Sequence, residues 1–400
     1  MRHSSGFGIV ELMVSVVLAL VSMISIYQIF GVNEAYRRSS MGGSGAQING
    51  GIAVMQMQKD AERSGMGIGD VGALNCNVVS RVANLTNFPL IPVLIQSAGT
   101  SDSLTFLYGS SIIGGGQVAQ LADIEHLNAD TQFANVSGGQ SIATNDLVIA
   151  WQPPTPTIPQ ISCPLFQVTC TNATPCAGAP ANTDGFAIGN AANTWNSATV
   201  GAPFPAELSK ITRLYNFGRL TRRTYCVYLS GNSNTCTGSG TQIHGSLLSQ
   251  DALDATAAAD GTWQVVTENV IQMKAEYGLD TNADGDAIPN NVNTWQKAAP
   301  AQWAQLIAVR FAVLVRASNP QKLNRAGTCV NESSSNYTAA TPSDAFTNTT
   351  ASYYLGWGDT TSDPLTQPTN ADWQCYRYSV HETVVPLRNQ ILLNQPIAGF

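Results

Sequence analysis

The sequence predicts an α+β protein. One long N-terminal helix, transmembrane in its first half and amphipathic in its second, packs on an antiparallel β-sheet head with long disulfide-braced loop insertions. Three observations carry this: an uncharged apolar run opens the chain, short alternating apolar segments recur beyond it, and all eight cysteines lie past residue 75. Composition narrows the function as well. Twenty-six acidic against 19 basic side chains give a net charge of −7, which argues against nucleic-acid binding through a generally basic surface. Charged residues make up 11% of the chain, against about 25% in ordinary soluble domains. Polar surface must therefore come from Asn, Thr, Ser and Gln, a composition more familiar in exported proteins. The 44% hydrophobic content excludes global disorder.

The opening residues are Met1-Arg2-His3-Ser4-Ser5-Gly6-Phe7-Gly8-Ile9-Val10-Glu11-Leu12-Met13, and no further charge occurs until Glu34. The uncharged stretch Leu12 to Asn33 holds 22 residues, about 33 Å as a helix, enough to cross the hydrocarbon of a bilayer. A cleaved secretory signal is the plainer reading, but its apolar core is usually about 7–15 residues. Glu11 also opposes it, because a carboxylate carried to mid-bilayer costs about 2.5–3.5 kcal/mol without a partner. Glu11 as a simple helix-start carboxylate is the alternative.

Gly6-Phe7-Gly8-Ile9-Val10-Glu11-Leu12-Met13-Val14 resembles the class III signal of type IV prepilins. The resemblance implies that a prepilin peptidase/methyltransferase cuts between Gly6 and Phe7 and methylates the new amine of Phe7. Gly8 departs from the Thr or Ser usual after that Phe. Glu11 then matches the glutamate that neutralises the Phe7 amine of a neighbouring subunit. Two charges costly alone in lipid are cheaper as a pair, so the pairing sets register during assembly. The implied division is a leader (1–6), a transmembrane assembly helix (7–33), an amphipathic continuation (34–69) and a periplasmic β-rich head (70–400).

Helical character is expected to about Ser64, interrupted by a break or flexible joint at Gly42, Gly43, Gly45, Gly50 and Gly51, since glycine costs about 1 kcal/mol per helical position. Asp60-Ala61-Glu62-Arg63-Ser64-Gly65 resembles the helix end of PilW-type minor pilins, and Gly65 suits a helix terminus. Leu104 to Tyr108 and Leu147 to Trp151 read as short strands. Ile211 to Leu220 and Thr224 to Leu229 read as a hairpin, and Val265 to Leu279 as a longer mixed segment. Leu306 to Arg316 alternates as a half-buried strand, with Val309, Phe311, Val313 and Val315 on one face and Arg310 and Arg316 on the other. Tyr376 to Leu387 alternates similarly. Stretches of about 153–205 and 328–372, rich in Thr, Asn, Ser, Ala and Pro, read as insertions.

The cysteines suit an oxidising compartment, and no C-x-x-C pair points to zinc. Cys226 with Cys236 would close a short polar loop and Cys329 with Cys375 would staple the second insertion. That leaves Cys76, Cys163, Cys170 and Cys176 to pair around the first. Asp280-Thr281-Asn282-Ala283-Asp284-Gly285-Asp286 spaces oxygen ligands as in the first half of an EF-hand, with Asp280, Asn282, Asp284 and Asp286 as candidate calcium ligands. Its twelfth position is Asn291 rather than a bidentate Glu. An Asx-rich turn between strands is the alternative.

Tyr277-Gly278-Leu279-Asp280, Trp303, Val309-Arg310, Leu314-Val315-Arg316 and Glu382 to Asn389 extend the resemblance to PilW-type minor pilins over roughly 1–70 and 263–390. It implies an inner-membrane protein, with cytoplasmic N-terminus and periplasmic head, that then passes into the pilus. Its partners would be other minor pilins, the major pilin and a PilY-type tip adhesin. Its role would be to prime assembly and cap the tip, supporting twitching motility and adhesion. A type II secretion minor pseudopilin or a ligand-binding tip adhesin are the alternatives. No G-x-S-x-G, H-E-x-x-H, Walker A or G-x-G-x-x-G pattern recommends an enzyme. His381 reads as a packed or solvated strand residue rather than a catalyst.

Overall fold

The computed structural model describes residues 8–80, 87–98, 101–111, 119–123, 133–137, 142–154, 163–171, 186–189, 195–196, 213–228, 236, 245–253, 263–281, 289–319, 376 and 378–393. Helix α1 (Ile9–Arg63) runs 55 residues without interruption. The expected joint at Gly42–Gly51 is therefore absent, and packing explains why. Gly42, Ala46, Gly50, Ala53, Met57 and Ala61 are all buried and recur at helical spacing, forming a smooth side that lies against the head. A Cβ at Gly50 would sit 2.0 Å from the His381 ring. The glycine that weakens the isolated helix thus permits the contact that stabilises it in the fold.

Strands follow in chain order: β1 (Asn77–Ser80), β2 (Phe88–Pro89), β3 (Val93–Ala98), β4 (Ser101–Tyr108), β5 (Ala119–Asp123) and β6 (Phe133–Ser137). Next come β7 (Leu147–Trp151), β8 (Cys163–Gln167), β9 (Cys170–Thr171), β10 (Phe186–Gly189), β11 (Arg213–Gly218) and β12 (Thr221–Tyr228). The last are β13 (Ser246–Asp251), β14 (Gln264–Glu268), β15 (Val270–Leu279), β16 (Thr294–Gln296), β17 (Leu306–Arg316) and β18 (Tyr378–Pro386), before the short helix α2 (Arg388–Leu393). They form three sheets rather than one: β2-β1-β8-β7-β11-β5-β6-β10-β9, β14-β13-β12-β4-β3 and β16-β15-β17-β18. Pairing is antiparallel apart from β1 with β8. The stretch read as a first insertion therefore supplies β8, β9 and β10 to the largest sheet.

Two strand readings are corrected. β11 and β12 are consecutive but not paired: β11 joins β7 and β5, whereas β12 joins β4 and β13. The chain changes sheet at Gly218 (φ +62), where the Asn216 side chain accepts from the Gly218 N–H at 2.8 Å and Ser110 Oγ accepts from the Arg219 N–H at 2.9 Å. β17 is buried on both faces rather than one. It is flanked by β15 and β18, and Ala312, Leu314 and Tyr378 form a second small cluster on the side opposite the main core. Arg310, expected in solvent, is buried opposite Glu276, to which its Nε donates at 2.9 Å, and its guanidinium lies 4.5 Å from the Trp295 ring.

One apolar core joins α1 to the sheets, with Met57, Phe106, Tyr225, Tyr277 and Phe311 among its largest members. Side chains also stitch β15 to β3 and β4. Ser101 Oγ accepts from the Met273 N–H at 3.0 Å, Asp102 Oδ2 from the Ala275 N–H at 3.1 Å, and Tyr277 Oη from the Ile95 N–H at 2.6 Å. These contacts satisfy backbone groups that a buried sheet edge would otherwise leave without partners. Disulfides join Cys76 to Cys163 and Cys226 to Cys236. Cys170 is also disulfide-bonded, and Cys176, Cys329 and Cys375 lie outside the described residues.

Candidate functional site

The first half of α1 stands clear of the head. Ile9–Gly31 has a mean hydropathy of 2.5 and none of it is buried within the chain. It is a candidate membrane anchor by length and composition. Three serines interrupt its apolar surface, and the helix itself satisfies each hydroxyl: Ser15 donates to the Leu12 carbonyl at 2.8 Å, Ser22 to Leu18 at 2.8 Å and Ser25 to Val21 at 3.1 Å. No hydroxyl hydrogen therefore needs water, as a lipid or helix-bundle setting requires. Glu11 lies in the first turn, exposed, where the Gly8 carbonyl accepts from the N–H groups of Glu11 (3.0 Å) and Leu12 (3.1 Å). Gly6 and Phe7 lie outside the described residues. Just past the span, Arg37 pairs with Glu34 at 3.8 Å on the exposed surface.

The second half of α1 is locked into the head by a buried charge. Asp60, 2% exposed, sits where α1 meets β4 and β12. Tyr108 Oη donates to its Oδ1 at 2.9 Å and Tyr225 Oη to its Oδ2 at 2.5 Å, while the Arg223 guanidinium lies 3.5 Å away. Burial, reinforced by the Asp60 charge, raises both tyrosine pKa values above the ordinary range, so both remain donors. Burial works against the Arg223 charge, but Asp60, the tyrosines and Asp251 more than offset it and raise its pKa. The sequence reading quoted this segment without giving Asp60 a role. A single carboxylate on a helical side otherwise made of Gly, Ala and Met was the available signal.

The end of α1 is closed from the far end of the chain. Asn389, in α2, donates its Nδ2 to the carbonyls of Arg63 and Ser64 at 3.1 Å each, and the Gly65 N–H (φ +82) donates to Leu107 at 2.8 Å. These bonds take up acceptors that a helix end leaves open. His381 packs its ring against Gly50, and burial lowers its pKa.

In the loop after β15, Asp280 is fully buried and acts as a closure. Its Oδ2 accepts from the N–H groups of Asn290 (2.8 Å) and Asn291 (3.0 Å), and its Oδ1 accepts from Asn293 Nδ2 at 3.2 Å. Asn282, Asp284 and Asp286 lie outside the described residues. Among the described residues no group of three or more His, Cys, Asp or Glu side chains could hold a metal ion.

The parts that grip the stem helix from the C-terminal side are β14, β15, β17, β18 and Asn389. A family model described as PilW, Type IV Pilus-assembly protein W, matches residues 234–389, the stretch that contains all of them. Over that stretch the chain is a PilW-family protein. No curated protein and no solved structure matches it. PilW is a pilus-assembly family rather than a known enzyme family. The apolar helix Ile9–Gly31 fits a pilus-associated membrane protein.

Proposed function

We propose that this chain is a minor pilin of the type IV pilus, with a pilin-like arrangement of stem and head. It joins other minor pilins in a complex that primes assembly and can cap the tip. The observation that carries the reading is the combination, on one unbroken helix, of an unburied apolar segment starting at Glu11 and a head seat built by PilW-family strands. Cleavage between Gly6 and Phe7 exposes an ammonium group that Glu11 of an adjoining subunit neutralises. In low dielectric an unpaired charge is costly, so only the correct axial offset between stems is favourable. The head then follows the stem rigidly, because Asp60 and Asn389 fix it to the upper half of the same helix.

Twitching, adhesion and a PilY-type tip partner follow from the minor-pilin role. The same leader and stem would serve a type II secretion pseudopilin, and deletion separates the two. Loss of surface pili with normal export of secreted proteins supports the proposal, whereas blocked export with normal pili overturns it. A bulky residue in place of Gly6 is expected to block processing. A mature mass beginning at Phe7 in that variant would contradict the cleavage step.

A further inference from the structure

The stem carries a second exposed apolar side that membrane crossing does not explain. Away from the head, α1 presents Met41 (61% exposed), Ile48 (59%), Ile52 (40%) and Met55 (67%). Met41, Ile48 and Met55 recur every seven residues and Ile52 lies one turn beyond Ile48, giving one seam about 21 Å long. Lipid does not reach it. The span Ile9–Gly31 already measures about 34 Å against a hydrocarbon thickness of about 30 Å. Met41 stands about 15 Å further along the axis, beyond the exposed Glu34–Arg37 pair.

The glycines beside this seam point to a close neighbour. A Cβ at Gly45 or Gly51 would meet nothing within 4 Å, in contrast to Gly50 against His381. Each costs about 1 kcal/mol of helix propensity relative to alanine, and no contact inside the chain makes use of its bareness. Flanking a row of Met and Ile knobs, they leave recesses into which a second helix can settle with its backbone close.

We propose that Met41–Met55 is a docking surface for the apolar stem helix of a different pilus subunit, lying parallel to α1; this rests on the minor-pilin reading. The seam continues the exposed side of the membrane segment. Leu12, Phe30 and Ile48 are 18 residues apart, as are Met23 and Met41, which is five full turns. A helix packed along the span is therefore led onto the seam. A second copy in register would oppose Glu11 to Glu11 and Lys59 to Lys59, which a stem of different sequence or offset avoids. Met at both ends suits a surface that adapts to a non-identical partner.

The test is photo-crosslinking of the full-length chain in piliated cells, with a benzophenone amino acid placed singly at Ile48, at Met23 in the span and at Arg219 on the head. The expected result is an adduct at Ile48 whose partner peptide maps to the N-terminal stem of another pilus subunit, a similar adduct at Met23, and none at Arg219. Ile48→Glu should lower recovery of the chain in sheared pili on the order of tenfold, with unchanged amounts in the membrane fraction. Stem adducts at Met23 alone, or Ile48 adducts to lipid, to a second copy or to a segment outside a stem, overturn the docking surface and leave the minor-pilin reading standing. Absence of stem adducts at both positions overturns both.

Discussion

The two halves of α1 are built from the same kinds of residue and solve opposite problems. From Gly42 to Ser64 the buried side uses small residues so that β17 and β18 approach closely, and its one buried charge, Asp60, is fully partnered within the chain. From Ile9 to Gly31 nothing in the chain covers the apolar surface, and the one charge, Glu11, is exposed. The seated half is satisfied by its own fold, whereas the projecting half needs an external environment. A substitution in the first should thus be read in stability, and one in the second in assembly.

The largest expected effect is at Asp60. Asp60→Ala leaves the Tyr108 and Tyr225 hydroxyls and the Arg223 guanidinium without their shared acceptor and should destabilise the detergent-solubilised chain by about 3–5 kcal/mol. A denaturant midpoint within experimental error of the parent would break the contrast. Gly50→Val comes next. Its side chain must displace the His381 ring, at about 1–3 kcal/mol, read in the same denaturation experiment, whereas Gly51→Ala should leave stability unchanged or raise it.

How much of this was legible in the sequence depended on how local each signal is. Leu147 to Trp151 and Leu306 to Arg316 were readable to the residue because an apolar run bounded by turn residues sets its own limits. The glycine patch was not, since helix propensity is local and the contact that overrides it, Gly50 on His381, spans more than 300 residues. The same holds for the supposed hairpin at β11 and β12, where two adjacent strands of good propensity belong to different sheets. Glu11 announced itself as a charge in an apolar run. Asp60 did not, because its partners are two tyrosines and an arginine from distant strands.

Smaller effects sharpen the picture of the head. Asp280→Ala should cost about 1–3 kcal/mol by leaving the N–H groups of Asn290 and Asn291 without an acceptor. Since both Asp280 oxygens already accept N–H bonds, we expect melting unchanged by EDTA. An EDTA-sensitive transition would instead support calcium on Asp280 with Asn282, Asp284 and Asp286. The smallest effect is at His381. Its pKa is lowered in the fold, so the unfolded chain takes up a proton first as the pH falls. This contribution to stability is present above the ordinary histidine pKa of about 6.5 and is lost as the pH drops through the folded value. Melting between pH 7.5 and 5.5 should fall less in His381→Gln than in the parent, and equal slopes would contradict the assignment.

The most direct measurement concerns Glu11. In Glu11→Gln the helix, its hydropathy and the head seat are retained, and only the charge that meets the neighbouring ammonium is removed. Quantifying the variant in sheared pili against its amount in the membrane should show normal membrane levels and a severe loss from pili. Incorporation equal to the parent would contradict the account.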